Sequence, residues 1–245
     1  MSTSNLPDIA VVVGASGGVG GALVTRLAGD RRFAAVLALS RRSADAPSGP
    51  RIIQAAIDIT DPASIEAVAE QARTLGNLRL VIVASGVLHA DGIAPEKTWS
   101  AIDADTMARV FAVNSIGPAL VARYFLPLLP RQGRAVFAAL SARVGSIDDN
   151  RLGGWYSYRA SKAALNMLLK TLAIEIARRA PEAICIGLHP GTVDTGLSQP
   201  FSGKLSPDRL FSPAQSADHL LNVIDGVGAD DSGRVFAWDG QVIPA

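Results

Sequence analysis

Two side chains of opposite acid–base character stand four residues apart in Tyr156-Ser-Tyr-Arg-Ala-Ser-Lys162, with Tyr158 at position i and Lys162 at i+4. On a helix that spacing puts both on one face, one turn apart. With 3 Tyr and 4 Lys in 245 residues, the pattern arises by chance only about 0.05 times. An exposed surface pair is therefore the weaker explanation. A phenol with a pKa near 10 is a poor proton donor at neutral pH, and bringing it to about 7 takes roughly 4 kcal/mol of preferential phenolate stabilisation. An ammonium a few ångströms away in a partly dry site is expected to supply much of that. Such a pair suits proton transfer at a carbonyl or alcohol oxygen, Tyr158 donating to a developing alkoxide in one direction and accepting the alcohol proton in the other.

A second chemical feature lies near the start of the chain. The apolar run Ile9-Ala-Val-Val-Val13 leads into Gly14-Ala-Ser-Gly-Gly-Val-Gly-Gly21, followed by an amphipathic segment. Glycines at a strand-to-helix junction let the backbone turn tightly and approach a ligand, while the helix start offers free N–H groups to an anion. The turn Gly14, Ser16, Gly17, Gly18, Val19 and Gly20 is the candidate phosphate cradle; a tight turn serving only helix–sheet packing is the alternative. No Gly-Lys-Ser/Thr follows, which excludes a nucleoside triphosphatase loop. The next strand ends in Leu39-Ser-Arg-Arg42, without the carboxylate that would hydrogen-bond the ribose hydroxyls of NAD. Arg41 and Arg42 offer guanidinium groups for a 2′-phosphate, which favours NADP(H) over NAD; solvated surface charge is the alternative.

Positioning these groups requires a scaffold, and the apolar pattern predicts one. Short Val- and Ile-rich runs at 9–13, 35–39, 52–57, 80–84, 135–140, 183–188 and 234–237 alternate with helical patterns at 19–28, 62–75, 105–126, 156–180 and 213–225. That alternation predicts an α/β fold: a single doubly wound Rossmann domain over 1–245, with a seven-stranded, mostly parallel sheet and helices on both faces. The stretch 196–213, rich in Ser, Pro and Gly and punctuated by Phe201, Leu205 and Leu210, is a candidate lid or an ordinary surface excursion.

Composition narrows the partners. Lys+Arg number 23 against 22 Asp+Glu, a net charge of +1, which argues against a nucleic-acid binder. A lone Cys185 excludes an internal disulfide and fits a reducing compartment. Residues 1–8 are polar and lack the pattern of a secretory signal, and no apolar run approaches the roughly 18 to 20 residues of a membrane span. A cytoplasmic protein with no membrane partner is expected. His89, His189 and His219 stand far apart, so no metal is expected. Trp99, Trp155 and Trp238 are expected to pack, with Trp155 also able to border a substrate. The Leu, Met and Ala positions from Ala163 to Leu172 are apolar on nearly every side, which predicts either subunit contact through this helix together with 105–126 or a wholly intrachain core.

The Gly14, Gly18, Gly20 spacing and the Tyr158–Lys162 pair together resemble the short-chain dehydrogenase/reductase family, and further positions extend the likeness over nearly the whole chain. The resemblance implies an NADP(H)-dependent oxidoreductase acting on a small-molecule carbonyl or alcohol, assembled as a homodimer or homotetramer. It implies that Lys162 holds the nicotinamide ribose and tunes Tyr158, and that Asn114, in Phe111-Ala-Val-Asn-Ser-Ile-Gly117, supports a proton relay. It places Ser40, Arg41, Asp58, Ile59 and Gly86 beside the cofactor, Asp58 at the adenine unless it serves the following helix start. Pro190, Gly191, Val193 and Thr195, in His189-Pro-Gly-Thr-Val-Asp-Thr195, would line the nicotinamide and phosphates. Gly145 to Tyr158, continuing to Asn166, is similar to the C-factor and sniffer-like carbonyl reductase branch. Two departures stand out. Val83-Ala-Ser-Gly86 replaces the usual Asn-Asn-Ala-Gly, and the slot of the substrate-orienting serine holds Ala142. Ser141 is the candidate catalytic serine only if the strand end is distorted, because neighbouring strand residues face opposite ways; Ser146 is the possible substitute. The alternative to an enzyme is a dinucleotide-binding regulatory protein with little turnover.

Overall fold

The computed structural model describes residues 6–90, 92–199 and 210–245. Its sheet is built from β1 (Asp8–Val13), β2 (Ala35–Ser40), β3 (Ile52–Ala56), β4 (Asn77–Val83), β5 (Ala135–Leu140), β6 (Ala183–His189) and β9 (Val235–Ala237). These lie in the order β3-β2-β1-β4-β5-β6-β9, and every neighbouring pair is parallel. A short parallel pair, β7 (Thr192–Val193) with β8 (Leu210–Phe211), stands apart from it.

Helices α1 (Gly18–Gly29) and α6 (Pro213–Gly226) cover one face of the sheet. There Leu23, Leu27, Leu220 and Ile224 pack on Val12, Ile82 and Val136. The other face carries α2 (Pro62–Leu75), α3 (Ala104–Phe111), α4 (Gly117–Phe125) and α5 (Tyr156–Ala177). Ile65, Phe125 and Leu165 meet Val11, Val81 and Phe137 on that side. Strands sandwiched this way must be apolar on both faces, and β5, Ala-Val-Phe-Ala-Ala-Leu, is buried at every position.

Local signals set several boundaries. Asp61 caps α2 by accepting the Ala63 N–H at 3.0 Å, with Pro62 at the first helical position. Ser212 and Gln215 close a capping box on α6. The segment expected as one helix over 105–126 is interrupted by a π-helical turn, Ala112–Ile116, between α3 and α4. The continuous helical stretch Ala104–Leu128 is long and apolar enough to cross a membrane by length and composition alone, and half of its most apolar part is buried in this fold.

Strand order places the site. From β1 the chain moves outward to β2 and β3, then crosses back to β4 on the other side. Between the carboxyl ends of β1 and β4 lies the crevice where open α/β sheets bind ligands. Register pairs Val13 with Leu39 and Val83, Val83 with Ala139, and Leu140 with Leu188, so the residues following these strands gather on one rim.

Candidate active site

The glycine turn sits at that rim. Gly14 has a φ of 90°, and a Cβ there would lie 2.8 Å from the Ser85 backbone nitrogen. A Cβ on Gly20 would stand 2.1 Å from the Gly14 carbonyl oxygen, and one on Gly18 would stand 2.6 Å from Thr195 Cγ2. Turn, helix start and the segment after β6 therefore close on one another only because side chains are missing. Ser16 and Gly17 are exposed beside them and Val19 is half-buried. This cradle at the amino end of α1 fits a pyrophosphate, whose charge the helix dipole and free N–H groups favour.

At the end of β2, Ser40 is buried and donates its hydroxyl to the Arg42 carbonyl at 2.7 Å. Arg42 is paired with Asp45 at 2.7 Å. Arg41 is exposed and makes no ion pair within the described residues, leaving it the better of the two for a phosphate. Asp58 accepts from the Thr60 N–H at 2.9 Å and the Thr60 hydroxyl at 2.6 Å. Those bonds, aided by the Arg41 charge, hold its carboxyl below the usual range. The helix cap is Asp61, so Asp58 is not used for it. Ile59 is buried against the position of Gly117.

Tyr158 and Lys162 lie in the first two turns of α5. Lys162 is 3% exposed, its Nζ donates to the Leu140 carbonyl at 2.8 Å, and it stands 5.8 Å from the Tyr158 ring centroid. A Cβ on Gly86 would be 3.5 Å from Asn114 Oδ1 and 3.6 Å from Lys162 Nζ, so the end of β4 brings both polar groups together. Asn114, buried within the π-helical turn, accepts from the Val87 N–H and donates to the Val87 carbonyl, each at 2.8 Å. Its Nδ2 also reaches Ser161 Oγ at 3.2 Å. A π turn widens the helix locally, and here that turn carries the asparagine.

Burial works against the expected tuning of the phenol. Burial pushes Tyr158 up to about 12 and Lys162 down to about 8, so desolvation favours the neutral form of both. An ammonium whose proton is given to a backbone carbonyl, nearly 6 Å from the ring centroid, does not outweigh that burial.

Both serine candidates already have hydrogen-bond partners within the protein. Ser141 follows a regular strand end, and its hydroxyl donates to Asn166 Oδ1 at 2.6 Å, on the side of α5. Its candidacy as catalytic serine is therefore corrected: strand alternation turns it into the helix layer. Ser146 is buried, donates to the Ala245 carbonyl at 3.1 Å and accepts the Asp149 N–H at 3.1 Å. Ala142 occupies the slot, with extended φ −150° and ψ 146°.

After β6, Gly191 (φ 77°) makes the turn expected there, with Phe211 and Trp238 packed beneath it. The Pro190 carbonyl accepts the Ser216 hydroxyl at 3.0 Å. Val193 is buried in β7, and Thr195 leans on Gly18 as described. The His89 Nε2–H donates to the Gly196 carbonyl at 2.8 Å, joining the segments that follow β4 and β6. Of the lid candidates, Leu210 lies in β8; Phe201 and Leu205 lie outside the described residues. Trp238 packs with Phe211 and His219, and Trp155 stands edge-on to Tyr158 at 6.2 Å. Trp99, expected to pack, is 79% exposed. Cys185 is buried, as its apolar strand predicted.

Comparison with known proteins gives matching results. A family model described as short chain dehydrogenase matches residues 8–205. A 1-hydroxy-2-glutathionyl-2-methyl-3-butene dehydrogenase of Rhodococcus is 32% identical over 233 residues, 95% of this chain and 97% of that protein. The C-signal protein of Myxococcus xanthus is 36% identical over 143 residues, 58% of this chain and 81% of that protein. Among solved structures, the NADPH-bound carbonyl reductase from chicken fatty liver superimposes with a TM-score of 0.82 at 28% identity, covering 98% of this chain and 99% of that one.

Proposed function

The chain belongs to the short-chain dehydrogenase/reductase family of oxidoreductases, and from that premise we propose that it interconverts a carbonyl compound and a secondary alcohol using NADP(H), with Tyr158 as the acid/base. The observation that carries this is the meeting of Tyr158, Lys162 and Asn114 at the rim that also holds the glycine cradle. NADPH, when bound, supplies the hydride. Gly14, Gly18 and Gly20 would receive its pyrophosphate, Arg41 its 2′-phosphate, and Thr195 with the Pro190–Gly191 turn its nicotinamide end. Lys162 would give up or share its bond to the Leu140 carbonyl to hold a ribose hydroxyl, and Tyr158 would donate its proton to the oxygen of the substrate carbonyl. Support for one catalytic unit over 1–245 comes from the seven-stranded sheet, whose strands among the described residues run from Asp8 to Ala237.

The test is NADPH oxidation followed by absorbance with a panel of ketones, aldehydes and quinones. Tight NADPH binding without turnover on any of them favours the regulatory alternative, for which Ala142 and the occupied hydroxyls of Ser141 and Ser146 speak.

Two further expectations follow. Arg41→Ala should weaken NADPH about tenfold and leave NADH nearly unchanged, because a charge-assisted phosphate contact is lost only for the former. Equal effects in a fluorescence titration would refute the assignment. Met167 and Ile174, seven residues apart on one face of α5, are 67% and 53% exposed, which supports a homo-oligomer formed through this helix. Analytical ultracentrifugation should show at least a dimer that Met167→Glu dissociates, and a monomeric wild type refutes it.

A further inference from the structure

The helix that carries Tyr158 begins without a cap of its own. Its N-cap residue, Trp155, is in the left-handed region at φ 53° and supplies no side-chain cap to the helix. Gly153 and Gly154 before it also have positive φ, 62° and 66°. Three successive left-handed residues swing the chain into α5, and helix-start N–H groups must find partners elsewhere.

They find them on Glu96, from the connection between β4 and α3, 61 positions away from Ser157. Glu96 is 5% exposed. Its main-chain carbonyl accepts the Trp155 N–H at 2.5 Å. Its carboxylate accepts the Ser157 N–H at 3.3 Å and 3.2 Å to the two oxygens, and the Ser157 hydroxyl as well. One residue thus takes donors on both sides of Tyr156, immediately before Tyr158. On the opposite side, Arg159 donates to the carbonyls of Gly153, Gly154 and Val144 at 3.2, 3.0 and 3.2 Å, so the first turn is held between two clamps.

We propose that Glu96 is a positioning residue for catalysis: a carboxylate from a distant segment that caps α5 and thereby sets the placement of the Tyr158 phenol. This rests on Tyr158 being the acid/base. A buried carboxylate is tolerated where backbone N–H groups and the positive end of a helix dipole face it, and a phenol at the end of its side chain magnifies any tilt of the turn that bears it. Displacement of a reacting group by about 1 Å costs roughly a hundredfold in rate at worst, so loss of the cap acts on kcat. Val87, whose N–H and carbonyl both bond Asn114, lies in the same connection as Glu96.

The test compares the full-length wild type with Glu96→Ala, Glu96→Gln and Ser157→Ala. For Glu96→Ala, kcat with phenanthrenequinone as the carbonyl probe should fall about tenfold, while KM and the NADPH dissociation constant stay within about twofold. Glu96→Gln, which keeps an acceptor oxygen for the Ser157 N–H and O–H, should recover to within about threefold of wild type. Ser157→Ala should lie between them. Amide hydrogen exchange at 157–159, which needs no substrate, should quicken about tenfold in Glu96→Ala and less in Ser157→Ala. Unchanged exchange in both alanine variants overturns the proposal, as does a Glu96→Gln enzyme no better than Glu96→Ala. If Tyr158→Phe is inactive while Glu96→Ala keeps wild-type kcat, the positioning role alone fails; if Tyr158→Phe keeps its rate, the acid/base assignment fails and the exchange data decide the cap separately.

Discussion

Tyr158→Phe is expected to lower kcat for carbonyl reduction about a thousandfold, about 4 kcal/mol of transition-state stabilisation, with NADPH affinity within about twofold of wild type. The substitution removes one oxygen and its proton, keeps the ring that stands edge-on to Trp155, and leaves the cradle at Gly14 to Gly20 untouched. Burial holds the phenol near 12 and the Lys162 ammonium near 8, and this fixes a direction. Across neutral pH the phenol carries its proton, so it is ready to donate to a developing alkoxide and poorly suited to accept from an alcohol. Reduction should therefore be nearly flat between about pH 6 and 8, whereas oxidation should climb with pH as the small phenolate fraction grows. Steady-state kinetics in both directions, with fluorescence titration of NADPH, check these points. A variant within about tenfold of wild type would remove Tyr158 from the chemistry; a bell-shaped reduction profile centred near pH 7 would show that the phenol is tuned downward after all.

How far the sequence alone reached depends on the range over which each feature is determined. The strands were legible because a parallel sheet covered on both faces forces unbroken apolar runs, and the expected 135–140 coincides with β5. Helix α2 was legible to the residue, since Asp61 and Pro62 mark its start locally. The pairing of Tyr158 with Lys162 on one helix face needed only the i, i+4 rule. What escaped was set by contacts distant in sequence or by deviations from the usual period. The π turn around Asn114 adds a wider turn without altering the apolar pattern of 105–126, so the segment read as one helix. Glu96 escaped because its partner is 61 positions away; the only local hint was Gly153-Gly154-Trp155, a helix start lacking Ser, Thr, Asp or Asn at its cap. The burial that opposes the tuning of Tyr158 was not legible either, because a short Tyr–Lys spacing says nothing of how much water each group loses.

Ala142→Ser is expected to raise kcat for carbonyl reduction by about ten- to a hundredfold, since one well-placed donor to a developing oxyanion is worth about 10²–10³ in rate. The backbone there is already extended and suits serine without adjustment. Ala142 is 7% exposed, so the added hydroxyl costs about 1 kcal/mol of stability if it finds no partner. Strand alternation turns position 142 away from Ser141, whose hydroxyl is already donated to Asn166 at 2.6 Å. Ser146 cannot deliver the same bond, because its hydroxyl is donated to the Ala245 carbonyl. Arg143, the next residue along, is engaged with Asp149 at 2.9 Å. Within the described residues the hydroxyls of Ser141 and Ser146 are both engaged, so in the proposed chemistry Tyr158, supported by Lys162 and Asn114, is the donor to the carbonyl oxygen. A serine at 142 adds a second donor while leaving the cradle and Arg41 unchanged, so NADPH affinity should not move. The gain must also vanish in the Ala142→Ser, Tyr158→Phe double variant, because a donor that orients the carbonyl cannot replace the proton it needs. An increase that survives loss of Tyr158, or no increase at all, would mean that the carbonyl lies elsewhere on this rim and that position 142 does not face it.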